Sequence, residues 1–162
     1  MFKTLLLIST LLLSACGYHL RGSAELPKEL NSIYLSGETA SLREQFDKTL
    51  QLSAGQLLDT PSANSLSIHI VKEDMQRRVL SLSSRGRANE FELVYRLNYD
   101  LTNADNKAVL KNQPIEIRRE YFNNQQDILA KDNEENVIRN EMYQQAVQTI
   151  INRARNVLVA KP

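Results

Sequence analysis

The most informative segment of this 162-residue chain runs Phe91-Glu92-Leu93-Val94-Tyr95-Arg96-Leu97-Asn98-Tyr99-Asp100-Leu101. The six odd-numbered residues are all large and apolar or aromatic, so they share one face of an extended strand. The opposite face carries mostly polar residues, namely Glu92, Arg96, Asn98 and Asp100. Such alternation is typical of an antiparallel sheet with one face on a core and the other face open.

Two further strands are predicted to flank this segment. Apolar residues alternate over 66–70 and start a strand that continues, with more polar residues, towards Leu82. Residues 83–89, with the sequence SSRGRAN, have the composition of a hairpin tip. A fourth strand is predicted over 109–122, where Pro114 marks an edge or a bulge because proline cannot donate a ladder hydrogen bond.

The chain before these strands predicts one strand and one helix. Ser32–Ser36 has the pattern of a short strand. A helix is predicted over Leu42–Ser53, because apolar residues recur there at every fourth position. Ser41 and Glu44 have the spacing of a capping box at its start.

A long helix is predicted at the end of the chain. Asp132 and Glu135 repeat the capping spacing, and an apolar stripe follows. The stripe consists of Ile138, Met142, Ala146, Ile150, Ala154 and Leu158. The expected fold class is α+β: a two-layer sandwich of a four-stranded, mostly antiparallel sheet with two helices packed on one face. The open sheet face is a candidate contact surface.

The N-terminus has the layout of an exported lipoprotein. Residues 1–15 combine one cation with a short apolar run and small residues, which predicts a signal peptide that is removed. Leu13-Ser14-Ala15-Cys16 resembles the bacterial lipoprotein box, in which Cys16 receives acyl chains such as palmitate. The alternative is an ordinary signal peptide followed by a plain cysteine. Cys16 is the only cysteine, so no disulfide can use its thiol. Residues 16–31 are predicted to be a lipidated tether, and residues 32–162 a single sandwich domain.

Composition and motifs exclude several classes of protein. Without residues 1–15 the chain has 19 basic and 19 acidic residues, so the basic excess of a nucleic-acid binder is absent. The sequence contains no His-Glu-x-x-His, no Gly-x-Ser-x-Gly and no Gly-rich phosphate loop, so we expect neither an enzyme nor a cofactor. His19 and His69 lack the spacing of a metal site.

Basic residues are the best candidates for a binding site. Arg85 and Arg87 flank one glycine on the predicted hairpin tip, and Lys131 precedes a predicted helix start. Guanidinium groups match phosphate oxygens in bidentate geometry, and a helix N-terminus favours anions. The arginine pairs at 77–78 and 118–119 could line the same end of the sheet. The alternative is that all of these residues are solvated surface charges.

Three segments together resemble a known family. CGYHLR at 16–21, ILAKDNEE at 128–135 and EMY at 141–143 are similar to the LptE family of LPS-assembly lipoproteins. The resemblance implies a non-catalytic lipoprotein, anchored through Cys16 on the periplasmic side of the outer membrane. Gly17 after the cysteine, in place of aspartate, favours sorting to that membrane.

The same resemblance implies partners and site residues. It implies a 1:1 complex in which the protein plugs the LptD barrel, helps that barrel to assemble and binds LPS for delivery to the outer leaflet. It implies LPS-contacting basic residues at Lys131 and at the hairpin tip, where Ser84 holds the matching position and Arg85 and Arg87 flank it. Two alternatives remain: a purely structural partner of a barrel without functional LPS binding, and a periplasmic lipoprotein enzyme.

Overall fold

The structure, a computed structural model, describes residues 30–63, 65–105, 107–123 and 128–159, except for the side chains of 128–133. It contains two helices and one five-stranded sheet. The elements in chain order are β1 (Ser32–Ser36), α1 (Ala40–Gln51), β2 (Gln56–Leu58), β3 (Leu66–Leu82), β4 (Ala88–Thr102), β5 (Ala108–Phe122) and α2 (Ile128–Val159). Neither helix, within the described residues, has the length and hydrophobicity of a membrane span.

The sheet is mixed, and its strand order is β2-β1-β3-β4-β5. β3, β4 and β5 form the predicted antiparallel meander, whereas β1 pairs in parallel with both β2 and β3. The α+β class with two helices is confirmed, but the four-stranded, mostly antiparallel sheet was wrong. The missing strand, β2, has only three residues at the sheet edge, too few to show a period of two. It runs parallel to β1 because α1 carries the chain back to the starting end of the sheet.

A bulge in β3 changes which side chains face the helices. Ile70 pairs with Tyr99 and Lys72 pairs with Asn98, so Val71 is an additional residue that shifts the alternation by one position. Beyond the bulge, Glu73 faces the helices and accepts hydrogen bonds from Thr39 N at 3.0 Å and from the Tyr95 hydroxyl at 3.0 Å. The bulge thus places a carboxylate at the start of α1.

The start of α1 differs from the predicted capping box. Thr39 is the N-cap, because its hydroxyl accepts a hydrogen bond from Leu42 N, and Ser41 lies inside the helix. Thr39 also donates its own hydroxyl to Glu73 at 2.8 Å. Gly37 makes the preceding turn with φ +80°, and a Cβ there would lie 2.5 Å from the Ile70 carbonyl oxygen. Only glycine fits this turn. Because Thr39 is the N-cap, the helix starts at Ala40, two residues before the predicted Leu42.

One hydrophobic core joins the helices to a single sheet face. The predicted stripes of both helices pack in it, with Ile138 and Leu158 at the two ends of the α2 stripe only partly buried. The Tyr95 and Tyr143 rings meet edge to face with centroids 5.0 Å apart. Leu30 is already fully buried, so the folded part of the domain begins before residue 32. The fully buried side chains include Phe46, Leu50, Leu93, Leu97, Leu101, Met142, Ala146 and Ile150.

Candidate functional site

The hairpin between β3 and β4 carries two of the predicted site residues. The tip is closed by hydrogen bonds from Ser83 N to the Arg87 carbonyl at 2.7 Å and from Gly86 N to the Ser83 carbonyl at 2.9 Å. Gly86 has φ +71°, a conformation that favours glycine. The local turn chemistry therefore places Arg85 and Arg87 on either side of Gly86, and both residues are exposed.

Apolar side chains are exposed at the same end of the sheet. The last residues of β3 expose Val79, Leu80 and Leu82, and β5 ends at Phe122, which is 69 % exposed. Phe122 pairs with Glu90 of β4, close to the tip. We call these four residues the apolar rim. The tip and rim together offer guanidinium groups beside apolar surface, a combination suited to an amphiphilic anion.

The start of α2 is attached to the sheet near this end by Glu135. Its carboxylate accepts hydrogen bonds from Arg77 of β3 at 3.0 Å, from the Tyr121 hydroxyl of β5, and from Arg139 one helical turn later at 2.6 Å. Arg77 also lies over the Phe91 ring, 4.8 Å from its centroid. We call Glu135 with its three hydrogen-bond donors the Glu135 cluster.

Three pKa values in the Glu135 cluster are displaced, and that of Arg77 is raised chiefly by its hydrogen bond to Glu135. Burial alone would raise the pKa of Glu135, but the hydrogen bonds from Tyr121, Arg139 and Arg77 outweigh it and lower that pKa to about 2. Burial, followed by the hydrogen bond to Glu135, raises the pKa of Tyr121 to about 12. The carboxylate is therefore ionised and the phenol protonated at neutral pH, which keeps the cluster intact.

Lys131 lies on α2, one helical turn before Glu135. The predicted helix start at Asp132 was wrong, because α2 begins at Ile128 and Asp132 and Glu135 lie inside it. The Lys131 side chain is outside the described part of the chain. The Glu135 cluster fixes the next turn of the same helix against β3 and β5, and it was not foreseen from the sequence.

The two adjacent arginine pairs do not join the tip. Alternation along a strand separates their members, so Arg77 belongs to the Glu135 cluster and Arg119 donates to Gln145 of α2 at 2.5 Å. Arg78 and Arg118 lie on the open sheet face, where both pair with Glu92. These four residues were predicted as one basic end of the sheet, and the structure divides them between its two faces.

The open sheet face carries a continuous chain of ion pairs. Glu92, only 4 % exposed, accepts a hydrogen bond from Arg78 and lies 3.8 Å from Arg118. Glu116 then bridges Arg118 at 2.5 Å and Arg96 at 2.8 Å. We call these five residues the open-face ion-pair chain. Its charges are largely neutralised by one another, so this face is polar without being strongly basic.

The other predicted site residues lie away from the hairpin tip or outside the described residues. Cys16 and the predicted signal peptide lie outside the described residues, as does the tether up to residue 29. His69 is a β3 residue whose ring forms a hydrogen bond with the Ser36 hydroxyl at 3.1 Å. Within the described ranges, no group of three or more metal-ligating side chains is found.

Comparison with protein families settles the relationship that the N-terminal and α2 motifs indicated. The LptE model, described as lipopolysaccharide-assembly, matches residues 30–154. The chain belongs to the LptE family. The LPS-assembly lipoprotein LptE of Pectobacterium atrosepticum is 26% identical over 160 residues, covering 94% of this chain and 84% of that protein. The same-named protein of Yersinia enterocolitica is 27% identical over 158 residues, covering 92% and 72%.

Solved structures share the LptE-family fold described here. Lipoprotein B from Nitrosomonas europaea superposes with a TM-score of 0.71 at 29% identity, covering 89% of this chain and 94% of that one. Rare lipoprotein B from Shewanella oneidensis gives a TM-score of 0.64 at 27% identity, covering 80% and 97%. The mixed sheet with two helices is therefore a recurring lipoprotein architecture.

Proposed function

We propose that this LptE-family protein is a non-catalytic outer-membrane lipoprotein that plugs the LptD barrel in a 1:1 complex and helps it to assemble. In this proposal residues 1–15 direct export and are removed, and acylated Cys16 anchors the chain on the periplasmic side. A cysteine with several acyl chains is a stable anchor where one chain would not be. The family membership and the names of the relatives support this role.

The second half of the proposal is that the protein binds LPS for delivery to the outer leaflet. The observation that carries it is the hairpin tip, where Arg85 and Arg87 stand beside the apolar rim. The guanidinium groups would bind phosphates of lipid A or the inner core, joined by Lys131 from α2. The apolar rim suits a ligand that carries acyl chains next to those phosphates.

The proposed plug has a surface suited to a polar lumen. Interiors of outer-membrane barrels are polar, and a strongly charged plug would need matched charges on the wall. The open-face ion-pair chain neutralises most of its charges internally. The chain without residues 1–15 also has equal numbers of acidic and basic residues.

The test reverses the charges at the proposed LPS site. Arg85→Glu, Arg87→Glu and Lys131→Glu are combined, and LPS affinity, thermal unfolding and recovery of LptD are measured. Each hydrogen bond to a charged group contributes about 1.5–3 kcal/mol, so LPS affinity should fall by more than about tenfold. Folding and LptD recovery should be unchanged.

A matched control separates the site from net charge. Lys72→Glu, Lys107→Glu and Lys111→Glu change the charge by the same amount at exposed positions outside the hairpin tip. This control should leave LPS affinity near that of the unmodified protein. Equal affinity of the tip variant and the control would contradict LPS binding at the tip. Normal LPS delivery in cells carrying the tip variant would favour the purely structural role.

A further inference from the structure

The outer face of α2 carries a regular row of amide side chains. Every fourth residue from 136 to 156 is an asparagine or a glutamine, and all six are exposed. Each lies two residues from a position of the inward stripe, which is about 200° of helical rotation. The row, which we call the amide stripe, therefore lies opposite the face that packs on the core. Its members are Asn136, Asn140, Gln144, Gln148, Asn152 and Asn156.

The composition of this face is unusual for a helix exposed to water. Such faces normally carry charged residues that also form ion pairs along the helix. Among the eleven exposed residues of 134–159, only Glu134 and Glu141 are charged. Because asparagine is a weaker helix former than lysine or glutamate, helix propensity does not account for the stripe.

The side chains of the amide stripe also form no hydrogen bonds within the described part of the chain. Neighbouring side chains do form hydrogen bonds: Gln145 accepts from Arg119, and Arg139 donates to Glu135. No side-chain hydrogen bond joins any member of the amide stripe to another of the residues described in the structure. Each amide keeps one acceptor and two donor hydrogens for another molecule.

A hollow beside the stripe adds an independent observation. Gln148 and Asn152 form one wall of a surface hollow of about 250 Å³, and Leu52 and Arg155 also line it. Leu52 is 82 % exposed, the most exposed large apolar side chain of the described residues. The hollow therefore offers a partner side chain both apolar contact with Leu52 and hydrogen bonds from the amides of Gln148 and Asn152.

We propose that the amide stripe and its hollow are the surface through which α2 docks on the polar inner wall of a β-barrel. This inference rests on the proposed plug function and adds the face that is used. Amides donate and accept without the desolvation penalty of charges, so they can match a wall of mixed polar groups. A step of four residues turns about 40° beyond a full helical turn, so the stripe winds around α2, and its members Gln144, Gln148 and Asn152 lie within about 80° of one another. These three amides and the hollow beside them can therefore face the same stretch of wall.

The test introduces charge without changing shape. Gln144→Glu with Gln148→Glu replaces two amides by isosteric carboxylates, in the full-length lipidated chain. The control, Thr60→Glu with Ala63→Glu, makes the same charge change at exposed positions of the loop between β2 and β3. LptD recovered with each chain from detergent-solubilised outer membranes is measured. We expect at least about a tenfold loss for the stripe variant, little loss for the control, and recovery close to normal for Gln144→Asn with Gln148→Asn.

A second variant tests the same surface from α1. Leu52→Glu places a carboxylate at the mouth of the hollow, and it should reduce LptD recovery as well. Thermal unfolding of each isolated chain should match that of the unmodified protein, because all substituted side chains are exposed.

The outcomes separate this inference from the proposed function. If the unmodified chain recovers LptD and the stripe and hollow variants do so equally well, the docking surface is wrong while the plug function stands. Equal losses in the stripe variant and its control would show a response to net charge and would also overturn it. If the stripe variant retains LptD but loses binding to LPS oligosaccharide, the surface binds the sugar of LPS and the inferred docking on the barrel is wrong. Failure of the unmodified chain to recover LptD would reject the plug function itself.

Discussion

The charged residues of the sheet and the amides of α2 are both polar surfaces, but they are used differently. Glu92 and Glu116 bridge arginines across three strands, and Glu135 accepts hydrogen bonds from β3, β5 and its own helix. The amide stripe forms no side-chain hydrogen bond within the described structure. Charges satisfied inside the chain stabilise it, whereas hydrogen-bonding groups left unused are available to another molecule. Stability measurements can therefore test the distinction before any partner is studied.

The largest effect on the free energy of unfolding is expected for a substitution of Glu135. The folded-state pKa of about 2 lies below the usual value of 4.5, so the stabilisation is complete above pH 4.5 and is lost as the pH falls towards 2. Glu135→Gln should lower the free energy of unfolding by roughly 2–3 kcal/mol at pH 7 and by much less near pH 2. Urea unfolding of both proteins across this range measures the difference.

Glu134→Gln is the matched control, because Glu134 is an exposed neighbour that loses the same charge. It should leave stability almost unchanged at either pH. If the two variants were equally stable at pH 7, the Glu135 cluster would not hold α2 against the sheet. The charged hydrogen bonds of Glu135 would then not stabilise the fold, and they would not differ in this respect from the amide stripe.

Sequence patterns predicted the parts of this fold that depend on local period. The alternation in β4 and the four-residue stripes of both helices gave the correct elements and the correct buried faces. β2 was missed because three residues carry no period, and the start of α1 was misplaced because Thr39 is supported by Glu73 from another strand. That contact depends on the bulge at Val71, which has no signal in a single sequence.

The candidate site shows the same limit. Arg85 and Arg87 could be found because glycine between two polar residues predicts a tip, and the turn is local. Arg77 and Glu135 are 58 residues apart, so their pairing depends on the tertiary fold. The spacing of the amides can be read in the sequence, and the burial of the predicted apolar stripe on the opposite face agrees with their pointing outward.

A smaller loss in the free energy of unfolding is expected for a substitution of Glu92 on the open sheet face. Glu92 is almost fully buried and serves both Arg78 and Arg118, so Glu92→Gln removes charged hydrogen-bond acceptors from a central strand. We expect a loss of about 2 kcal/mol in the free energy of unfolding, since both arginines can still reach water. Glu116→Gln, at a side chain that is 40% exposed, is the control and should cost clearly less. Equal losses would mean that burial does not distinguish the two carboxylates.

The smallest effect is expected on the amide stripe. Gln144→Ala with Gln148→Ala should change the free energy of unfolding by less than about 0.5 kcal/mol, and the direction should be slightly stabilising, because alanine is the better helix former. Chemical and thermal unfolding of the isolated chain measure this. A loss of more than about 1 kcal/mol would show that the amides support the fold, because exposed substitutions without partners rarely cost so much. A neutral result combined with reduced LptD recovery would place their role in the complex, since a residue that contributes nothing to folding and something to assembly acts at an interface.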